Sequence, residues 1–513
     1  MLMDAAAYRE SLRRYRPRVF VNGRAVESVA DEPLLAPGIA GIGVTYDFAQ
    51  RPEHAALMTA RQGSSDKVVN RMLHIDESST DLLYKLEAVR LVCQESGCAQ
   101  RYLCHDAFNG IFQGTKRADA EHGTDYHARF LAYLHGFQDE DLTVGIAMTD
   151  SKGDRSKRPG QQVNPDSYVH ITQRRPDGIV IRGAKAIVTG APYVHEFMVM
   201  PCRTMSPEDA DFAVCCAVPC DAPGVTIVAK PAGRPGEAAA TFSSRYGQSV
   251  GVVLFEDVFV PHRRVFLAGE TEAGGYLTTS YATHHRHSCI GARAGFGDLL
   301  IGAGALMIEA NGLDPDRHGH IRDAMVGLIK IVEGFFACGV AASVYCSKDE
   351  SGVAMPDAVF ANVGKLLLAT QIYDMHRLAH HVSGGLVVAL PGPDEDHNPE
   401  TAASLAAVLG GRPDVPASRR TEIARLMEDL TASKEASWYS VISLHGGGSP
   451  EAMKREIWRN YPVGTRVSLV ERLLDRGVLD EGQRVSKQPD RCCAAGCEVP
   501  EPPPRGAFQQ AAE

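Results

Sequence analysis

The chain has 513 residues, 44% of them hydrophobic and 23% charged, with a formal net charge of −10. That length exceeds what one hydrophobic core can serve and, at roughly 100–200 residues per domain, predicts about three domains. An acidic balance without lysine-rich runs or a basic aromatic stripe argues against a nucleic-acid partner and points to a small-molecule substrate.

The first residues, MLMDAAAYRE, lack the apolar core of a signal peptide, and no later stretch offers about 18 uninterrupted apolar residues, so the expectation is a soluble, cytoplasmic protein. Leu82, Leu83, Leu86, Val89, Leu91 and Val92 recur at three- and four-residue intervals, and residues 1–140 are expected to form an N-terminal helical domain. Short apolar, partly β-branched runs follow at 168–171, 179–181, 197–200, 212–214 and 252–255, with a Pro176-Asp177-Gly178 turn; they predict a central antiparallel β domain over 141–275. Helical patterns return at 299–311, 321–346 and 358–382, with Gly384 and Gly385 ending the last, and predict a C-terminal helical bundle over 276–483. From 484 to 513 the composition becomes proline-rich and polar, the signature of a loosely ordered extension; Cys492, Cys493 and Cys497 there lack the spacing and the fourth ligand of a zinc site. The 13 cysteines are odd in number and irregularly spaced, which suits small buried hydrophobes better than a disulfide framework.

Three segments carry chemistry. Residues 147–156 (AMTDSKGDRS) and 182–190 (RGAKAIVTG) are polar, glycine-punctuated turns beside strand-like runs, able to aim backbone N–H groups and threonine hydroxyls at a planar heterocycle. Residues 445–450 (HGGGSP) form a glycine cluster after a helical stretch, where backbone can approach a phosphate or ribose closely. In this order they read as a flavin site.

The helical, β, helical order, with a Met-Thr turn opening the β domain and a Gly-x-Lys-x-x-x-Thr strand inside it, resembles the acyl-CoA dehydrogenase-like α+β architecture. Within it, the three segments together with 255–261, 297–303 and 384–388 are similar to the 4-hydroxyphenylacetate 3-hydroxylase family, and more closely to its branch of 4-hydroxybutyryl-CoA dehydratases and vinylacetyl-CoA isomerases. The resemblance covers residues 5–480. It implies FAD between the β domain and the bundle, in a dimer-of-dimers homotetramer whose neighbouring subunit completes the site. Carried over residue by residue, Met148, Thr149 and Asp150 would lie along the isoalloxazine, Lys152, Asp154, Arg155 and Ser156 would reach the flavin or its phosphates, and Thr189 would contact the ring. Gly384, Gly385, Gly446, Gly447, Gly448 and Ser449 would meet the adenine half or pyrophosphate.

The dehydratase branch also holds a [4Fe–4S] cluster on three cysteines and a histidine, and here the sequence departs from it. Cys98 and His285 match two ligand positions, while the other two fall on Tyr102 and Ala292, so no iron–sulfur cluster is expected. On a continuous helix Cys104 would lie about 240° around from Cys98 and face away, whereas Cys289, three residues before Ala292, could share its face. The branch tyrosine four residues after the histidine becomes Cys289, and a carboxylate expected near Val250 is absent.

Three functions follow. One is a two-component monooxygenase, in which a separate flavin reductase supplies reduced flavin and Arg101, Tyr102 and His285 handle an aromatic or carrier-bound small molecule. No Gly-x-Gly-x-x-Gly follows a strand to bind a nicotinamide cofactor. The hydroxylase histidine would align near Met148, leaving His284, His285 and His287 as candidate bases. The second is a cluster-less acyl-CoA isomerase or dehydratase with His285 abstracting a proton; the third is a non-catalytic flavoprotein. The mapping requires Cys98, Tyr102, His285 and Ala292 to surround one cavity.

Overall fold

A computed structural model describes residues 2–474; the cysteine-containing tail lies outside the described residues. The chain is α+β, with helices before and after a central pair of sheets. The helix Ser79–Ser96 starts where Ser78 accepts a hydrogen bond from the Asp81 backbone N–H and stops at Gly97, whose φ of +67° an L side chain resists. After a five-residue connection carrying Cys98, the helix Tyr102–His122 begins. Cys98 therefore sits in a turn, and the expectation of one continuous helix through 98–104 is corrected.

The N-terminal segment is also less uniformly helical than expected. Val19–Val21 and Arg24–Val26 form a hairpin around Asn22 and Gly23, both at positive φ, the geometry an Asn-Gly turn favours. That hairpin joins the larger sheet, whose six strands run in the order Arg24–Val26, Val19–Val21, Val225–Ala229, Val250–Pro261, Gly178–Thr189 and His170–Arg175. A four-stranded sheet contains Val265–Ala268, Val214–Pro219, Glu196–Val199 and Val144–Ala147. Most neighbours are antiparallel, but Val19–Val21 pairs parallel with Val225–Ala229, and Val144–Ala147 parallel with Glu196–Val199. Both parallel pairings use strands distant in sequence, which a reading of consecutive hairpins does not find.

The helix Thr271–Ala310 has 40 residues and spans about 60 Å. Small residues let its neighbours come close. A Cβ on Gly291 would lie 2.6 Å from the Leu86 carbonyl oxygen and one on Gly295 2.4 Å from that of Arg90; a Cβ on Gly110 would meet the Tyr281 backbone nitrogen at 2.8 Å. The helices Ser79–Ser96 and Tyr102–His122 thus press onto different stretches of the long helix. Gly319–Val344 and Ala358–Ser383 pack on it as well, and Lys434–His445 lies against Ala358–Ser383. Thr271–Ala310 and Gly319–Val344 are long and apolar enough to cross a membrane by composition alone, but 67% of the first helix's most apolar window is buried inside the protein.

One apolar core joins the N-terminal helices to both sheets through Tyr46, Phe108, Phe130, Phe197 and Phe266. A second joins Ser79–Ser96 to the C-terminal bundle through Leu86, Val89, Ile290, Phe296, Val332 and Tyr439. The turn at Cys98 and the beginning of Tyr102–His122 belong to this second core.

Candidate active site

A cavity of about 50 Å³ opens where the two cores meet, lined by residues from five parts of the chain. The turn and helix around 98–103 contribute Cys98, Gln100 and Tyr102; the strand Gly178–Thr189 contributes its last residue; the long helix contributes His285, Cys289, Ala292 and Arg293. Lys365 comes from Ala358–Ser383, and Trp438, Ile442 and Gly446 come from Lys434–His445 and its end. Cys98, Tyr102, His285 and Ala292 therefore do surround one space, as the mapping requires.

Spacing on the long helix explains the grouping: His285, Cys289 and Arg293 stand four residues apart and share a face. His285 Nε2 lies 3.6 Å from Cys289 Sγ, and His285 Nδ1 lies 3.0 Å from Asp106 Oδ2. The imidazole is stacked between the rings of Tyr281, centroid distance 5.4 Å, and Tyr102, 6.2 Å. Asp106 is fully buried one turn after Tyr102. It accepts from Ser288 Oγ at 2.5 Å and lies 3.7 Å from Lys85 Nζ. Burial opposes the imidazolium, but Cys289 and the Asp106 carboxylate outweigh it and raise the His285 pKa to about 9. For Cys289, burial pulls the thiol pKa up while His285 and Lys365 pull it down further, leaving it below the ordinary thiol range. Burial, helped by the nearby Arg293 and Arg286 guanidinium groups, lowers Lys365 to about 8, and burial together with the Lys85 ammonium lowers His284 to about 3 and keeps it neutral.

The charge balance of this region is unusual. Arg286, Arg293 and Lys365 are each at most 5% exposed, and none has a carboxylate within 4.0 Å among the described residues. Arg286 donates to Gly447 O and Asn362 Oδ1, and Lys365 to Ser443 O, while Arg293 Nη1 is buried without a hydrogen-bond partner. Buried cations without counter-charges are costly, so the region suits an anionic ligand.

Several expected site residues take other roles. Arg101 is fully buried but turned away from the cavity: it bonds Asp141 Oδ1 at 2.5 Å and the carbonyls of Asp141 and Leu142, and stacks on Tyr46 at 3.8 Å. Its assignment as a substrate-orienting arginine is corrected. Arg293 is the arginine that lines the cavity, and the signal for it was its position eight residues after His285. His284 bonds Gln113 and His287 bonds Ser343 Oγ; neither lines the cavity, so neither serves as the candidate base. Cys104 donates to the Val144 carbonyl, away from Cys98. Among the described residues no three His, Cys, Asp or Glu side chains are placed to hold one metal ion, and Cys98, Tyr102, His285 and Ala292 do not form the donor set of a cluster.

The flavin residues divide likewise. Thr189 and Gly446 line the cavity. Gln100, not singled out from the sequence, donates to Thr189 O at 3.0 Å and keeps Oε1 buried and unpartnered, an acceptor available to a flavin N–H. The Thr189 strand reaches the cavity through a bulge opposite Val252, with Ile187 at φ +62° and 59% exposed. A β-branched residue in that conformation is strained, and bulges re-aim side chains at sites. Met148 and Thr149 are half-buried beside this strand, their carbonyls accepting from Lys185 Nζ and Ala186 N. Asp150 is paired internally, with Lys185 Nζ at 2.8 Å and the Val169 N–H at 3.0 Å, so its carboxylate braces the turn and is not free for a ligand. Lys152, Asp154, Arg155 and Ser156 lie on the outer loop, and Gly384 and Gly385 on the surface at the end of Ala358–Ser383; none lines the cavity within one chain. Gly447 and Gly448, both at positive φ, lie over His285 and Arg286, while the Ser449 hydroxyl caps the helix Pro450–Asn460. An orphan acceptor, a threonine and a glycine at one rim, with uncompensated cations beside them, fit FAD.

The domain models of 4-hydroxyphenylacetate 3-hydroxylase match residues 4–267 for the N-terminal part and 275–475 for the C-terminal part. The chain belongs to this family. It is 34% identical over 487 residues to a 4-hydroxybutyryl-CoA dehydratase/vinylacetyl-CoA-Δ-isomerase of Clostridium aminobutyricum, covering 92% of this chain and 99% of that one. It is 23% identical to the oxygenase component of 4-hydroxyphenylacetate 3-monooxygenase of Thermus thermophilus, covering 90% and 95%. Among solved structures, an oxygen-tolerant archaeal 4-hydroxybutyryl-CoA dehydratase from N. maritimus superposes with a TM-score of 0.89 at 34% identity, covering 97% of this chain and 100% of that one. An oxygenase component of 4-hydroxyphenylacetate 3-monooxygenase, complexed with FAD and 4-hydroxyphenylacetate, superposes at 0.82 with 21% identity over 92% and 98% of the two chains, which shows the shared fold.

Proposed function

We propose that this family member is a flavin-dependent oxidoreductase, the oxygenase component of a two-component monooxygenase acting on a small aromatic or carrier-bound molecule, without an iron–sulfur cluster. The observation that carries this reading is the cavity: apolar walls from Leu103, Leu368, Trp438 and Ile442 enclose Arg293, Lys365 and His285, while two cluster positions are Tyr102 and Ala292. Such walls match the apolar face of an aromatic ring, for which the space of about 50 Å³ must widen, and the cations favour its phenolate, which makes the ring carbons more nucleophilic. With its pKa at about 9, His285 is an imidazolium at neutral pH; it acts as a hydrogen-bond donor and proton source. Gln100, Thr189 and the backbone at Gly446 hold the flavin edge, and reduced FAD, when bound, supplies oxygen activation.

A separate reductase delivers the reduced flavin. A neighbouring subunit in a cytoplasmic homotetramer brings Gly384 and Gly385 to the adenine half. The apolar residues left exposed near the end of the described chain, Trp458 at 74% and Leu473 at 65%, support such an assembly. The test is to add chemically reduced FAD to the purified protein in air with a panel of phenols, following oxygen uptake and hydroxylated product. Stoichiometric iron and acid-labile sulfide would overturn the reading. The 34% identity to the dehydratase supports a second one, a cluster-less acyl-CoA isomerase in which His285 moves a proton at the acyl chain. Isomerisation of vinylacetyl-CoA without iron, and no phenol oxidation, would select it.

A further inference from the structure

Cys289 stands apart from the oxygenase reading, which gives a thiol no task. Its sulfur lies 3.6 Å from His285 Nε2, and the opposite ring nitrogen lies 3.0 Å from Asp106. The arrangement is that of a nucleophile, a base, and a carboxylate that fixes the base's tautomer and orientation. The base is unusually well held: two tyrosine rings clamp the imidazole, and Ser288 Oγ, at 2.5 Å, fixes the other oxygen of Asp106. Independently, Arg293, one helical turn beyond Cys289 and only 4% exposed, lines the same cavity with Nη1 unpartnered. An arginine so placed is a seat for a carboxylate. Of the other cysteines, Cys98 also lines the cavity, yet its sulfur meets Tyr102 OH at 3.8 Å and no base.

We propose that Cys289, His285 and Asp106 form a nucleophilic thiol site that takes a small carboxylate bearing an electrophilic carbon, with the carboxylate bound by Arg293. The proton given up by the thiol rests on His285 Nε2, so the pair is a thiolate beside an imidazolium, and the sulfur lone pair forms a bond to the electrophilic carbon. The bond from that carbon to its leaving group breaks, and the leaving group departs with the electron pair. The site is independent of which flavin reaction the protein performs.

Alkylation of the full-length protein tests it, with iodoacetate as the anionic probe, iodoacetamide as its neutral counterpart, and iodide as the leaving group in both. Peptide mapping by mass spectrometry follows each cysteine. In the unsubstituted protein, iodoacetate is expected to label Cys289 at least about tenfold faster than any other described cysteine, and faster than iodoacetamide does, as one charge-assisted hydrogen bond allows. Arg293→Gln should cut the iodoacetate-to-iodoacetamide ratio at Cys289 by about tenfold, and His285→Gln should slow both reagents there. Labelling of Cys289 no faster than that of the other cysteines, or faster by iodoacetamide than by iodoacetate in the unsubstituted protein, overturns the proposal. Because that comparison needs no variant, a folding defect in Arg293→Gln or His285→Gln leaves it decisive.

Discussion

Replacing Asp106 with asparagine preserves shape and removes one charge from the centre of the buried network. The carboxylate lies 3.0 Å from His285 Nδ1 and 3.7 Å from both Lys85 Nζ and His105 Nδ1, and none of the four side chains is more than 10% exposed. Breaking a buried pair by removing one partner costs about 3–5 kcal/mol, because the remaining charge is stranded. His285 provides a check on that range: the step from 6.5 to about 9 is worth about 3 kcal/mol, and Asp106 supplies only part of it. Lys85 and His105, both at 3.7 Å, and the Ser288 hydroxyl that donates to the same carboxylate account for the rest. Asp106→Asn should therefore be destabilised by about 3–5 kcal/mol in chemical denaturation at pH 6. Lys85→Met added to Asp106→Asn should recover part of the loss, since it removes the stranded ammonium.

The pH dependence gives the sign. Against the effect of burial, the His105 ring at 3.7 Å, the hydrogen bond from His285 and the Lys85 ammonium hold the Asp106 carboxyl well below its ordinary 3.8. A depressed carboxyl contributes stability that is present above its unfolded pKa and lost as pH falls through its folded one. The gap between parent and Asp106→Asn should therefore narrow below about pH 4, by up to about 1.4 kcal/mol per pH unit. A gap that stays constant from pH 6 to pH 3, or a double variant less stable than Asp106→Asn alone, would refute the network as described.

Arg101→Met should cost about 3–5 kcal/mol by stranding buried Asp141, while FAD affinity of the folded protein, measured by fluorescence quenching, stays within about twofold. A selective loss of substrate or flavin binding at unchanged stability would return Arg101 to the active site. Gly295→Ala should lower the melting temperature despite alanine's better helix propensity. Its Cβ meets the Arg90 carbonyl at 2.4 Å and the Gln94 nitrogen at 2.9 Å, backbone atoms that cannot rotate away, and overpacking of this kind costs about 1–3 kcal/mol. Gly190→Ala places a Cβ 1.9 Å from the Gln100 amide at φ +71°, so it should displace Gln100 and weaken FAD binding by about tenfold or more in titration calorimetry. Unchanged affinity would remove Gln100 and Thr189 from the flavin rim.

The helical bundle was legible because its signal is local. The runs near 321–346 and 358–382 match Gly319–Val344 and Ala358–Ser383, and Gly384 ends the latter with its φ of +77°. The Asn22-Gly23 hairpin is equally local, but its strands are three residues each, too short for a two-residue period to stand out. The parallel pairings were not legible, since nothing near Val19 specifies Val225–Ala229. In the site, motif position placed Cys98, Tyr102 and His285 correctly around a cavity, yet it cannot say which way a side chain turns. Arg101 and Tyr102 are adjacent in sequence; Tyr102 faces the cavity while Arg101 is drawn to the carbonyls around Asp141. Asp106 and Lys365 carried a signal that went unused, as charged residues on the buried faces of helices.

Those unread charges also orient whatever the cavity holds. The Gln100 and Thr189 side offers neutral hydrogen-bonding groups, whereas the long helix and Ala358–Ser383 offer Arg293, His285 and Lys365. A ligand between them keeps its neutral polar edge toward the strand and its negative charge toward the helices. The opposite orientation would leave Arg293 Nη1 unpaired and strand an anion on a carbonyl-rich edge. Since Arg293 and Cys289 share one helical face, anything that neutralises Arg293 also lies one helical turn from the sulfur. Selection for a flavin or substrate anion at Arg293 is thus inseparable from the environment of Cys289.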